Sequence, residues 1–276
     1  MSELTFPGHT APDKTASALP ATGTLLLSQI RYQMLLLMRS PRGMLFSLVI
    51  PVLLLVLSSS RRHPDPQLEA ALVAGLAAFG LIVTAYISHA IGLVTGRQDG
   101  VLRRWRATPL PTWCFFAGRI VATVLTALAS VAIAVAVGTA IYHVHLTGGI
   151  ALSLLVIFLL GALAWAAIGT AVTALVPTAQ SAGPVLMVTY LPVILFSGGL
   201  GSVSAEPGWL ATVARYLPAE PIISSATRAL THTGPGLSLI SGRDLAVLAA
   251  WAVGGVLASA VFFRWDPVRP GHAPSR

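Results

Sequence analysis

Apolar residues in this chain fall in long runs rather than at alternating positions, the pattern of helices whose surroundings are lipid. A helix that crosses a bilayer needs about 20 predominantly apolar residues. Six stretches reach or approach that length: residues 44–60, 68–95, 115–142, 150–176, 183–200 and 245–263. Pro51 in the first and Pro184 and Pro192 in the fifth predict kinks, which membrane bundles tolerate because neighbours take up the freed carbonyls. The predicted fold is all-α and integral to the membrane, with six transmembrane helices in a domain over residues 43–265.

Ahead of the first span, residues 1–21 carry Pro7, Pro12 and Pro20 among small and polar residues and read as a disordered cytoplasmic tail. Residues 22–42 mix Leu25, Leu26, Leu27, Ile30 and Leu35 with Gln29, Arg31, Gln33 and Arg39. This stretch is too polar to cross comfortably and predicts an amphipathic interface helix; the other reading makes it the first turns of a long first span. Between the fifth and sixth spans, residues 203–232 set Trp209, Leu210, Val213, Leu217, Ile222 and Ile223 beside Arg215, Glu220 and Arg228. They predict short re-entrant or interfacial outer helices, with an ordinary outer loop as the alternative. Residues 266–276 read as a second cytoplasmic tail.

Charge sets the orientation. Only 9% of the 276 residues are charged and 55% are hydrophobic, with a mean hydropathy of +0.80, where a soluble domain carries about 25% charged residues. With the N terminus inside, the cytoplasmic segments collect Lys14, Arg31, Arg39, Arg42, Arg97, Arg103, Arg104, Arg106, Arg119, Arg264, Arg269 and Arg276. The outer segments hold Arg61, Arg62, Arg215, Arg228 and Arg243. The excess predicts both termini in the cytoplasm. The net charge of +8 and pI near 10.8 follow from the same bias and imply no nucleic-acid partner. Arginine in place of lysine and abundant alanine match a high-GC bacterial genome, and hence a bacterial plasma membrane. The single cysteine, Cys114, excludes an intrachain disulfide.

Catalytic chemistry has little to work with. A P-loop needs a lysine for the nucleotide phosphates, and Lys14 has no glycine cradle around it. His143 and His145 have metal-like spacing but no nearby partners. No catalytic, cofactor or metal site is assigned. No Asp, Glu, Lys or Arg is expected well inside a span, which disfavours an ion-coupled carrier. His89, close to Tyr86 and Ser88, is the titratable exception; it is either a packing histidine or a contact for cargo or a proton.

Residues 96–112, GRQDGVLRRWRATPLPT, form the one sizeable charged cytoplasmic connection between spans. Asp99 near a helix start meets the positive end of the dipole, and Pro109 and Pro111 stop the helix. Val101, Leu102 and Trp105 share a face while Arg103, Arg104 and Arg106 spread over the others. Such a helix suits a groove on a partner protein; it equally suits an interfacial loop whose arginines meet lipid headgroups. Arg97, Gln98, Asp99, Gly100, Val101 and Leu102, followed by Ala107, Thr108 and Pro109, resemble the loop of type-2 ABC exporter permeases, the group that includes daunorubicin-type drug-efflux permeases. That family has a carboxylate where this chain has Gln98 and a threonine where it has Val101. A second likeness joins Phe196, Ser197 and Gly198 to Glu206, Pro207, Gly208 and Trp209, then Leu217, Pro218 and Arg228.

The resemblance implies a coupling helix at 96–112 that inserts into a separate ABC-type ATPase subunit, through Arg97, Gln98, Asp99, Gly100, Leu102, Arg103, Arg104, Trp105, Arg106, Thr108 and Pro109. It implies pairing with a second permease copy or paralogue, and it puts ATP and magnesium on the partner ATPase, so that this chain is no enzyme and binds no cofactor. Thr84, Tyr86, Ser88 and His89 on the second span, with Tyr190, Phe196 and Ser197 on the fifth, are the groups available for a cargo path. They suit an amphiphilic small molecule, a drug or natural product; the competing reading of each is helix packing. Export of a lipid-linked or polysaccharide cargo, and ion-coupled secondary transport, are the alternatives in function.

Overall fold

The structure, a computed structural model, describes residues 22–38, 49–59, 65–106, 112–142, 146–196, 208–231 and 240–263. Every regular element among them is helical: α1 (Thr22–Met38), α2 (Ile50–Ser59), α3 (Pro66–Gln98), α4 (Val101–Arg106), α5 (Thr112–Tyr142), α6 (Gly148–Val172), α7 (Ala179–Phe196), α8 (Gly208–Ala214), α9 (Glu220–Thr231) and α10 (Gly242–Phe262). Five of them, α3, α5, α6, α7 and α10, are long and apolar enough to cross a membrane. The expected first span is represented by α2; residues 44–48 and 60 of that stretch lie outside the described residues.

The helices begin where polar side chains cap them, a few residues ahead of the apolar runs. Asp65 accepts a hydrogen bond from the Gln67 amide at 2.9 Å, with Pro66 in the first helical position. Thr147 accepts from Ile150 N–H at 3.4 Å at the head of α6, and Ser241 from Arg243 N–H at 3.3 Å at the head of α10. Each cap takes up an amide that the first turn leaves without a partner.

The centre of the bundle is α3. Of its apolar window 72% is buried, against 22% for α7 and 11% for α10, so the spans divide into a core helix and peripheral ones. Ala70, Ala74, Ala77, Ala78, Ala85 and Ala90 are completely or almost completely buried along α3 and let α2, α5, α6 and α9 approach it closely. On α6, Trp165 meets Tyr86 of α3 edge-on at 5.3 Å between centroids, and the opposite side of α6 receives α10. The outer faces of α7 (Met187, Val188, Leu191) and α10 (Val253, Leu257, Val261) stay bare of protein.

Two flanking elements refine the expectations. Of the outer segment 203–232, residues 208–231 are described, and there α9 packs against α3 and α6 with Ile222, Ala226 and Ala229 buried. Of the expected interface helix 22–42, residues 22–38 form α1, which lies on α5. Its sidedness is inverted: Gln29 and Gln33 are 3% exposed and face the protein, while Leu27, Leu35 and Leu36 point outward.

Candidate functional site

The segment after α3 is built by one glycine. Gly100 sits at φ +70°, a left-handed conformation that costs side-chain-bearing residues energy. It ends α3, with its amide donating to the Arg97 carbonyl at 3.2 Å, and its own carbonyl accepts from the Arg104 amide at 3.1 Å to start α4. The Arg104 side chain donates back to the Asp99 carbonyl at 3.1 Å, closing the turn.

Three side chains brace this turn against the bundle. Arg97, 2% exposed, donates to the carbonyls of Thr173 at 3.2 Å and of Val176. Those carbonyls lie at the end of α6, in and just after a 3-10 turn over Thr173–Leu175 in which Thr173 O also accepts from the Val176 amide at 3.3 Å, and a cation there meets the negative end of the dipole. Gln98 Oε1 accepts from the Ala179 amide at 2.8 Å, the first residue of α7. The family's carboxylate at this position has the same acceptor oxygen, so Gln98 keeps the bond without the charge. Leu102, 2% exposed, packs with Leu93 of α3 and Phe115 of α5, and Phe116 and Phe263 close over that cluster.

The expected coupling residues therefore separate into two groups. Arg97 and Leu102 are buried against the bundle, while Gln98 bonds to α7 and is exposed. Asp99, Arg103 and Arg104 are exposed. The side chains of Trp105 and Arg106, and all of Thr108, Pro109 and Ser197, lie outside the described residues.

Midway along α3 a π-helical stretch, Val83–Ser88, interrupts the α-helix; such turns recur at functional sites because they shift the register of the side chains that follow. Thr84 returns its hydroxyl to Gly80 O at 2.9 Å. Thr189 of α7 donates to its own helix at Val185 O (3.0 Å) and Leu186 O (2.9 Å), so Tyr86 is the donor in the bond between their hydroxyls. His89, 1% exposed, bridges α5 and α6: Nδ1 lies 2.8 Å from Thr123 Oγ1 and Nε2 lies 3.0 Å from Thr170 Oγ1. Because the Thr170 hydroxyl donates to Ala166 O at 2.8 Å, Nε2 must carry the proton toward Thr170 and Nδ1 accepts from Thr123.

Of the residues expected along a cargo path, Tyr86 and His89 are thus buried and hydrogen-bonded between helices, Thr84 is buried and bonded within α3, Tyr190 is buried on α7, Ser88 is half-buried and Phe196 is exposed. A cavity of about 260 Å³ lies elsewhere, between α5 and α6, walled by apolar groups including Leu128, Val131, Leu154 and Phe158. Arg119, seven residues into α5, reaches His89 O at 3.2 Å and Gln33 Oε1 at 3.3 Å. A Cβ on Gly92 would overlap the Arg119 Nη2, so this glycine makes room for the guanidinium. Sequence reading missed Thr123, Thr170, Thr189 and Trp165 as partners of Tyr86 and His89; single threonines in apolar runs carry no signal until the helices are placed together.

At the far end, Asp244 of α10 is 1% exposed and accepts from Ser225 at 2.7 Å, from Arg228 and, through Oδ1, from Arg243 at 3.4 Å. Arg243 also lies 3.5 Å from Glu220. Burial raises the Glu220 carboxyl above its ordinary range; the charge of Asp244 adds to this and Arg243 and Arg228 oppose it.

The chain matches the family described as ABC-2 family transporter protein over residues 50–261, from the start of α2 into the last turn of α10. It is 26% identical over 193 residues to the probable multidrug ABC transporter permease YbhR of Escherichia coli K12, and equally to the protein of that name from Escherichia coli O157:H7. Those alignments take in 70% of this chain and 51% of each relative, so the chain spans about half the length of the curated relatives it matches. With five long apolar helices inside a match that covers most of its length, the chain is a multi-pass membrane protein and belongs to the ABC-2 transporter family.

Proposed function

We propose that the chain is the transmembrane subunit of an ATP-driven exporter in a bacterial plasma membrane, with six spans, both termini in the cytoplasm, and ATP and magnesium held by a separate ABC-type ATPase. The observation that carries the reading is the bracing of the α3–α4 turn: Arg97 and Gln98 join the end of α3 to the end of α6 and the start of α7. A push on the exposed side of α4, at Arg103 and Arg104 and by sequence at Trp105 and Arg106, is passed to three spans at once. An ATPase that prefers different positions of α4 with and without ATP then shifts the bundle between two states.

In this reading two permeases, alike or paralogous, assemble through spans with bare apolar faces, and the cargo is an amphiphilic small molecule. The permease name borne by the Escherichia coli relatives supports the class of cargo. Tyr86, Thr84, Ser88, His89, Tyr190, Phe196 and Ser197 act in a state of the cycle in which the bundle opens and exposes those that are buried. The test is extraction of the tagged chain from its native membrane in mild detergent. An ATPase subunit should co-purify, and Arg103→Glu with Trp105→Ala should release it while α3 to α10 stay folded. A chain that emerges alone, and takes up no ATPase on reconstitution, contradicts the proposal.

A further inference from the structure

Arg119 is a half-buried cation with no counter-charge among the described residues. Its Nη1 and Nη2 donate to neutral oxygens, on Gln33 and His89, while its Nε–H is buried with no hydrogen-bond partner. Gln29, one turn before Gln33 on α1, has its Nε2 buried and equally without a partner. Gln29 is placed near Arg119 at the level of the helices: it packs on Gly118, the preceding residue of α5, and stands one turn before Gln33, which Arg119 reaches. Among the described residues no Asp or Glu lies within ion-pair distance of Arg119. The contact between α1 and α5 therefore holds a cation and two donors without acceptors, an arrangement that is costly unless an anion completes it.

Depth narrows the choice of anion. The 31 residues of α5 make about 46 Å of helix at 1.5 Å per residue, against about 30 Å of hydrocarbon. Arg119 lies about 10 Å from the start of α5, so in a centred helix it falls near the boundary where lipid phosphates sit. The leucines on the outward side of α1 need hydrocarbon around them, which puts lipid beside this pocket. Arg119 remains partly exposed, and its positive charge favours a headgroup of net negative charge.

We infer that Arg119 and Gln29 form a seat for the phosphate of an acidic phospholipid in the leaflet on the α4 side of the membrane, fastening α1 to α5. The seat is separate from the α4 brace, so its loss leaves association with an ATPase in place.

The experiment measures lipid retained by the purified full-length chain in detergent, by native mass spectrometry, after exposure to equimolar dioleoyl phosphatidylglycerol and dioleoyl phosphatidylcholine. The expected result is retention of phosphatidylglycerol in roughly tenfold preference, the equivalent of one charge-assisted hydrogen bond, falling to parity in Arg119→Gln. Gln29→Leu, which removes the unpartnered amide and keeps the volume, should lower the preference several-fold with helix content unchanged. If Arg119→Gln fails to fold, Gln29→Leu decides alone. Equal retention of the two lipids by the wild-type chain, or a preference that Gln29→Leu leaves untouched, overturns the seat. Inorganic phosphate that raises the unfolding temperature in phosphatidylcholine, in an Arg119-dependent way, overturns the lipid as the source and leaves a free-anion site.

Discussion

The two ends of the bundle handle arginine in opposite ways. At the end that carries α4, Arg97 and Arg119 donate to backbone carbonyls and an amide oxygen. At the other end, Arg228 and Arg243 are paired with Asp244 and Glu220. A carbonyl-bound arginine fixes the backbone of a neighbouring helix end, whereas a carboxylate-paired one fixes two side chains and cancels their charges. The first arrangement makes a stiff end suited to a moving partner. The second makes a neutral rivet that holds α9 to α10 while the rest of the bundle moves.

Cutting the rivet should have the largest effect on stability. Arg228→Ala leaves the buried Asp244 with only Ser225 and a long contact to Arg243, and should cost about 3 kcal/mol, read as a lower unfolding temperature in detergent. The double variant Arg228→Ala with Asp244→Ala should recover part of that loss; equal loss in both means the pair does not act as a unit.

Next in size is the pH response of the same cluster. Because burial raises the Glu220 carboxyl, folding favours its protonated form. That contribution is fully present below the ordinary value of 4.5 and is lost as pH rises through the raised folded value. Glu220→Gln should match the wild-type chain at pH 4, exceed its unfolding temperature at pH 8, and flatten the slope between them. A slope unchanged by the substitution removes Glu220 from the account.

The smallest effect belongs to the other end. Gln98→Glu keeps the oxygen that accepts from Ala179 and adds a negative charge at the head of α7, where the dipole favours it by about 0.5 kcal/mol. Unfolding temperature and ATPase retention should both stay within error of wild type or rise slightly. A clear loss would mean that the amide –NH₂ of Gln98, not its oxygen, makes the necessary contact.

Much of the fold was legible because lipid imposes a blunt requirement. The apolar runs located five long helices, and their ends differed mainly where Asp65, Thr147 and Ser241 cap ahead of the hydrophobic stretch. The side of each residue was less legible. Leu102 was expected to face a partner and Arg97 to belong to an exposed loop, since an arginine beside an aspartate and a glycine reads as solvent-facing. What turns Arg97 inward is a pair of carbonyls 76 and 79 residues away, at the 3-10 end of α6, and no local pattern announces them. The π turn before His89 left no mark either, because Val83–Ser88 has the composition of any helical run. Glutamines on α1 pointed to a water-facing side; they face α5 instead.

The central claim is that Arg97 passes displacement of α4 to the spans. The direct measurement is the distance between spin labels on Arg103→Cys in α4 and Tyr216→Cys at the far end, in the assembled complex with its ATPase, with and without ATP. The native Cys114 is buried and stays unlabelled. The account predicts a nucleotide-dependent change in distance that Arg97→Lys abolishes, because a single ammonium lacks the fork that spans two carbonyls, while the ATPase remains bound. An unchanged response in Arg97→Lys, or no response in the wild-type complex, would contradict it.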